Sequence, residues 1–150
     1  MSENVQSPTN DTHSKLVGYI LWFFGFFGAH RFYFGKTKTG ILWACTFGLA
    51  GIGWLIDLFL IPSMDRQADR RFQQGPADYT LGWIFLVYLG WLGFHRIYLG
   101  KVFTGILVAL FFWGAVVLFS IVGLPFLALI VLIPDYLTLN QQIDRRNREG

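Results

Sequence analysis

Long apolar stretches with almost no charge constrain this chain before any motif is considered. Ile41 to Ile56 carries no charged residue. Four stretches meet or approach the roughly 20 mainly apolar residues that a helix needs to cross about 30 Å of hydrocarbon. They run from Leu16 to Phe34, Ile41 to Ile61, Leu81 to Leu99 and Ile106 to Ile133. With 54% hydrophobic, 19% aromatic and 14% charged residues, the chain is too apolar for an ordinary soluble surface. The expected fold is an all-α membrane protein of four transmembrane helices.

The charges crowd into Ser63 to Asp78 and Asp144 to Glu149. A net charge of +3 is too small and dispersed to suggest nucleic acid. Basic clusters beside apolar spans instead suit anionic lipid headgroups. Cys45 is the single cysteine, so there is no disulfide framework, redox pair or zinc pattern. Met1 to Ser14 is a polar tail without the basic start or cleavage site of a secretory signal, so the first apolar segment is expected to stay as a span.

Comparing the halves exposes a repeat. Gly25-Phe-Phe-Gly-Ala-His-Arg-Phe-Tyr-Phe-Gly-Lys36 and Gly90-Trp-Leu-Gly-Phe-His-Arg-Ile-Tyr-Leu-Gly-Lys101 match without a gap, and each is followed three residues later by Thr-Gly-Ile-Leu. Trp54-Leu-Ile-Asp57 has its counterpart in Leu132-Ile-Pro-Asp135, and the second copy carries about a dozen additional residues in its second helix. The copies span 15–74 and 75–150. Each has an even number of spans, so both enter the membrane in the same direction as a parallel repeat of two helical hairpins. Both His-Arg pairs are then expected on one face, with the N-terminus, the Pro62 to Tyr79 linker and the C-terminal tail on the other. Ile106 to Ile133 exceeds the core thickness and must tilt, kink or protrude, with Gly123 and Pro125 marking a kink.

These motifs resemble the TM-two domain, a two-transmembrane-helix domain family. The resemblance rests on Gly25 to Lys36, the Gly-Ile-Leu start of the next helix and Trp54 to Asp57, and it covers nearly all the chain after Lys15. It implies a small membrane protein, of a kind often bacterial, without an assigned activity. The family's turn triplet is often Asp-Arg-Phe; here His30-Arg31-Phe32 and His95-Arg96-Ile97 stand in its place, so no receptor-coupling role is carried over.

Ionisable residues at membrane depth are costly, about 2.5 to 3.5 kcal/mol for a central Arg on insertion scales. Arg31 and Arg96 lie close enough to the turns to snorkel to the headgroups, with Tyr33 and Tyr98 as interfacial aromatics. A second reading gathers His30, Arg31, His95 and Arg96 into one cationic cluster that selects an anionic lipid or partner. Asp57 falls about 24 Å along a straight second helix from the turn, which places it out of reach of Arg31 and nearer Lys15 or Arg66; Asp135 is expected to be solvated. Gly35, Gly40, Gly100 and Gly105 are read as turn glycines. Gly25 with Ala29, Ala44 with Gly48, and Gly51 and Gly53 are read as helix-packing positions.

The sequence contains no Gly-x-Ser-x-Gly elbow, His-Glu-x-x-His site or Walker loop, so no enzyme, metal or cofactor is expected. The leading reading is a non-enzymatic module that packs with itself, with another membrane protein or with anionic lipid. A small transporter or channel subunit is the alternative, and a lipid-modifying enzyme comes third. The Lys and Arg distribution favours cytoplasmic termini, and the expected location is a bacterial cytoplasmic membrane.

Overall fold

The computed structural model of the chain describes residues 11–24 and 28–150, and they contain helices and turns but no strand. Residues 1–10 of the polar tail, and Gly25 of the small-residue pair with Ala29, lie outside the described residues. The first half comprises α1 (Lys15–Phe24), the short α2 (Ala29–Tyr33), α3 (Thr37–Ala50) and α4 (Ile52–Arg71). The second follows the same order with α5 (Tyr79–Leu89), a 3₁₀ turn (Gly90–Leu92), α6 (Phe94–Tyr98), α7 (Val102–Ile121), a 3₁₀ segment (Pro125–Leu132) and α8 (Ile133–Glu149).

None of the four expected spans is a single uninterrupted helix. Among the described residues, two segments are long and apolar enough to cross a bilayer: Val102–Ile121, and Pro125–Glu149 taken together. The expected second span reverses within itself. Phe47, Gly48, Leu49, Ala50 and Gly51 all have positive φ, a left-handed run that costs about 1–2 kcal/mol at each non-glycine residue and turns the chain back along α3. The expected fourth span also reverses, at Val122–Leu124, and the Pro125–Leu132 segment packs back against α7. Gly123 and Pro125 therefore mark a hairpin tip rather than a kink.

These reversals change which ends of the molecule meet. Helices α1 and α4 run antiparallel: Trp22 and Trp54 stack at 4.1 Å, and each indole donates to the other's carbonyl at 2.8 and 3.0 Å. Further along, Tyr19 donates to the Leu58 carbonyl and Lys15 faces Asp65 at 3.9 Å. The turn after α2 returns to the same end. The Tyr33 hydroxyl accepts from the Ser14 amide at 2.7 Å, Lys36 donates to Gln67, and Arg71 donates to the Gly35 carbonyl. In the second half the Tyr98 hydroxyl accepts from the Asp78 amide at 2.7 Å, and Lys101 donates to Gln142. Both turns therefore share one polar base with the linker and the C-terminal helix, not the opposite face expected from straight spans.

The core joins the halves at this base. Leu21, Ile61 and Met64 of the first half and Trp83, Leu86, Leu139 and Ile143 of the second are fully buried in one cluster. Asn140, which the sequence reading did not single out, pins them together. Its amide donates to the carbonyls of Phe32 and Tyr33 at 2.9 and 3.0 Å, and its oxygen accepts from the Trp83 indole at 2.6 Å.

Of the expected turn glycines, Gly35 and Gly100 do turn the chain, with φ of 75° and 77°. Gly40 and Gly105 are instead helical residues of α3 and α7, at points of close approach. Gly105 faces Gly93, where a Cβ would lie 2.0 Å from the Gly105 oxygen. Gly93→Ala combines that collision with a φ of 70°, whereas Gly51→Ala meets only open space at a φ of 87°. Thermal unfolding in detergent is expected to show Gly51→Ala costing about 1–2 kcal/mol. Gly93→Ala should cost well beyond that, and equal losses would refute the close approach.

The segment just before α1 is held by a buried histidine. His13 lies among Tyr33, Phe72 and Tyr79, with ring centroids 4.7 to 5.2 Å away, and its Nδ1 is 2.8 Å from the Thr12 hydroxyl. Burial lowers its pKa to about 4, outweighing the pull of Asp69. Nearby Asp65 is raised to about 6, by burial first and by Asp69 second, against the opposing Lys15. The two act in opposite senses. An unfolded His13 takes up its proton near pH 6.5 and the folded one only near 4, so stability is lost as pH falls through that window. Folded Asp65 takes up its proton near pH 6, before the unfolded carboxyl does near 3.8, so acidification stabilises there. Each effect is about 3 kcal/mol when complete. Between pH 7 and 5, protection of the Ser14 amide relative to its intrinsic exchange rate at each pH should fall in Asp65→Asn and rise in His13→Phe; parallel changes in protection in the two variants would disprove this assignment.

Candidate functional site

Helices α2 and α6 are single turns that place His30-Arg31 and His95-Arg96 on the inner side of each half. Opposite them, the reversals bring back the two carboxylates. Asp57 Oδ2 accepts from His30 Nε2 at 2.7 Å and from Arg31 Nε at 2.8 Å, while Asp57 Oδ1 accepts from Arg31 Nη2. Asp135 repeats the pattern with His95 Nε2 at 2.8 Å, Arg96 Nε at 3.0 Å and Arg96 Nη2 at 2.6 Å. Gln142 adds a fourth donor to Asp135 at 3.2 Å.

The expectation that Asp57 and Arg31 are out of reach is thus overturned. A straight helix would carry Asp57 away from the turn, but α3 reverses after Thr46 and α4 brings the carboxylate back. Asp135, expected to be solvated, is buried. Lys15 pairs with Asp65 rather than with Asp57. The glycine-dense Gly48-Leu-Ala-Gly-Ile-Gly53 stretch was the available signal for the reversal.

Neither His-Arg pair joins a shared cationic cluster; each is occupied by the carboxylate of its own half. An ionised carboxylate only accepts, so each His donates through Nε2, and its Nδ1 is buried without a hydrogen-bond partner among the described residues. Within each cluster one Asp carboxylate balances one Arg guanidinium. Arg31 also stacks over Trp43, with its guanidinium carbon 3.7 Å from the ring centroid. Its side chain is 7% exposed, whereas that of Arg96 is 23% exposed. Snorkelling to the headgroups is therefore not what Arg31 does.

Tyr33 and Tyr98, expected as interfacial aromatics, act as internal struts through the Ser14 and Asp78 amides, and Tyr33 also meets Thr80 at 2.7 Å. Among the described residues no group of three or more His, Cys, Asp or Glu is placed to hold a metal. The cleft between Phe32, Arg71, Trp83 and Asn140 has about 30 Å³ of room, on the scale of one water.

A model of the TM2 domain matches residues 11–59 and 75–131. A TM2 domain-containing protein of Dictyostelium discoideum is 51% identical over 45 residues, 30% of this chain and 33% of the relative. Another from the same organism is 52% identical over 60 residues, 39% of each. TM2 domain-containing protein 1 of Homo sapiens is 54% identical over 47 residues, 31% of this chain and 23% of the relative. The matches thus span well under half of each relative's length. No solved structure matches the chain. These relatives are eukaryotic and lend no support to a bacterial membrane.

The clusters generate a stability test. Removing one partner of a buried pair leaves an uncompensated charge and costs about 3–5 kcal/mol. Arg31→Met is expected to lose that much in detergent unfolding, and Arg31→Met with Asp57→Leu to recover most of it. Arg96→Met, at the more exposed cluster, should lose less. An additive double variant would show that Arg31 and Asp57 do not act as a pair.

Proposed function

This chain belongs to the TM2 domain family, and from that membership and its two closed carboxylate clusters we propose that it is a non-enzymatic integral-membrane module. It works by packing against another membrane protein or a second copy of itself. The observation that carries this reading is that both intramembrane carboxylates are already paired within the chain. A proton or cation pathway would need such groups facing a water-filled route. Here they staple helices instead.

What the chain turns outward is apolar helix surface. Phe103, Ile106, Leu110, Trp113 and Val117 are exposed along one side of α7 at helical spacing, a surface for acyl chains or a partner helix. Anionic lipid is a contributing contact at the base, through Lys38, Arg70 and Arg145 rather than through the neutralised His-Arg pairs. The termini are assigned to the cytoplasmic face on the same charges.

Native mass spectrometry from lipid discs, together with solute flux in proteoliposomes, tests this. The expected result is a defined protein complex and flux equal to that of protein-free vesicles. Flux above that background would overturn the reading in favour of the transporter alternative.

A further inference from the structure

We propose that the chain enters the membrane from one side only, with both termini, the linker and both turns in one compartment and apolar hairpins that dip into the hydrocarbon and return. The inference rests on the membrane reading above and adds its topology.

The first support is where charge lies. Residues 39–56, 79–94 and 102–134 contain no Lys, Arg, Asp or Glu. Apart from Arg31, Asp57, Arg96 and Asp135 in the closed clusters, the charges of the described residues belong to the segments that meet at the base. That base is continuous: Lys36 reaches Gln67, Arg71 reaches Gly35, Lys101 reaches Gln142, and Asn147 ties the C-terminal helix to Ala77. A hairpin with its turn on the far side of the bilayer would have to separate groups that are hydrogen-bonded here.

The second support is how the opposite ends are built. Bends that face water usually carry Asn, Asp or Ser with polar neighbours. Phe47-Gly-Leu-Ala-Gly-Ile52 and Ile121-Val-Gly-Leu-Pro-Phe126 offer water almost nothing, with Phe47 74% and Ile121 79% exposed. Backbone in lipid must satisfy its own polar groups, and these bends bond within themselves. Gly51 donates to the Phe47 carbonyl, Leu49 to the Thr46 hydroxyl, Gly123 to the Ser120 carbonyl and Leu124 to the Phe119 carbonyl. The hydroxyls of Thr46 and Ser120 turn back onto their own helices at 2.6 Å.

Length sets the depth. The right-handed part of α3, Thr37 to Thr46, rises about 15 Å, which from the headgroups reaches the bilayer midplane. The twenty residues of α7 rise about 30 Å, the thickness of the hydrocarbon core. One hairpin thus ends in mid-membrane and the other at the far edge of the core, and neither carries a charge at its tip. The positive-inside bias places the base in the cytoplasm.

Substituted-cysteine labelling of the full chain in sealed vesicles of known orientation tests this, in a Cys45→Ser background. Lys38→Cys, Lys101→Cys and Glu149→Cys, all at exposed positions, are expected to react with a membrane-impermeant maleimide from the same side. Phe47→Cys should react from neither side until detergent is added. Labelling of position 38 or 101 from the side opposite to 149, or of position 47 from the far side, would overturn one-sided entry. Carbonate washing separates the two readings: release of the protein overturns membrane integration itself, whereas retention with opposite-side labelling overturns only the topology.

Discussion

An ionised carboxylate cannot be left alone among apolar helices, and the fold is arranged around closing two of them. Asp57 and Asp135 each receive a forked guanidinium and an imidazole from the preceding single-turn helix. Neutralisation alone would not require this geometry, since any nearby cation lowers the charge. The fork and the imidazole together fill the acceptor positions of the carboxylate, so few unsatisfied lone pairs remain where water is excluded. The His-Arg turn, the return of the following hairpin and the position of the carboxylate along it are then three aspects of one constraint.

That constraint explains why the chain accepts local strain. Phe47, Leu49 and Ala50 are held at left-handed φ, a conformation unfavourable for each of them. If α3 continued straight instead, Asp57 would leave Arg31 unpaired at depth, a cost of the same order as that of the bend. Gly93 and Gly105 perform a related service in the second half, where absent side chains let α6 start directly against α7.

The sequence made the membrane class, the duplicated motif and the unusual position of His30, Arg31, Asp57, His95 and Arg96 readable, because apolar length, repetition and charge within apolar stretches are local signals; Asp135, read as solvated, was missed. It did not disclose that Asp57 meets Arg31. Hydropathy counts residues and is blind to direction, so a helix that folds back reads the same as one that continues. Gly48, Gly51 and Gly53 were legible as small residues but equally consistent with helix packing. Asn140 was hidden for a different reason. Its partners are the Phe32 and Tyr33 carbonyls and the Trp83 indole, and backbone carbonyls leave no mark in a sequence.

The halves share a base but not a depth, and this asymmetry follows from where the added residues fall. Lengthening α7 and its returning segment moves the tip outward while Gly100, Lys101 and Asp135 keep their relation to His95 and Arg96. An insertion anywhere between the turn and the tip has to be matched on the returning strand of the hairpin, or the carboxylate is carried out of register with the guanidinium. The closed cluster thus fixes the lower part of each hairpin and leaves the upper part free to vary in length. Whatever distinguishes the halves in their contacts with lipid or partner is concentrated above Asp135, on the exposed faces of α7 and of Pro125–Leu132.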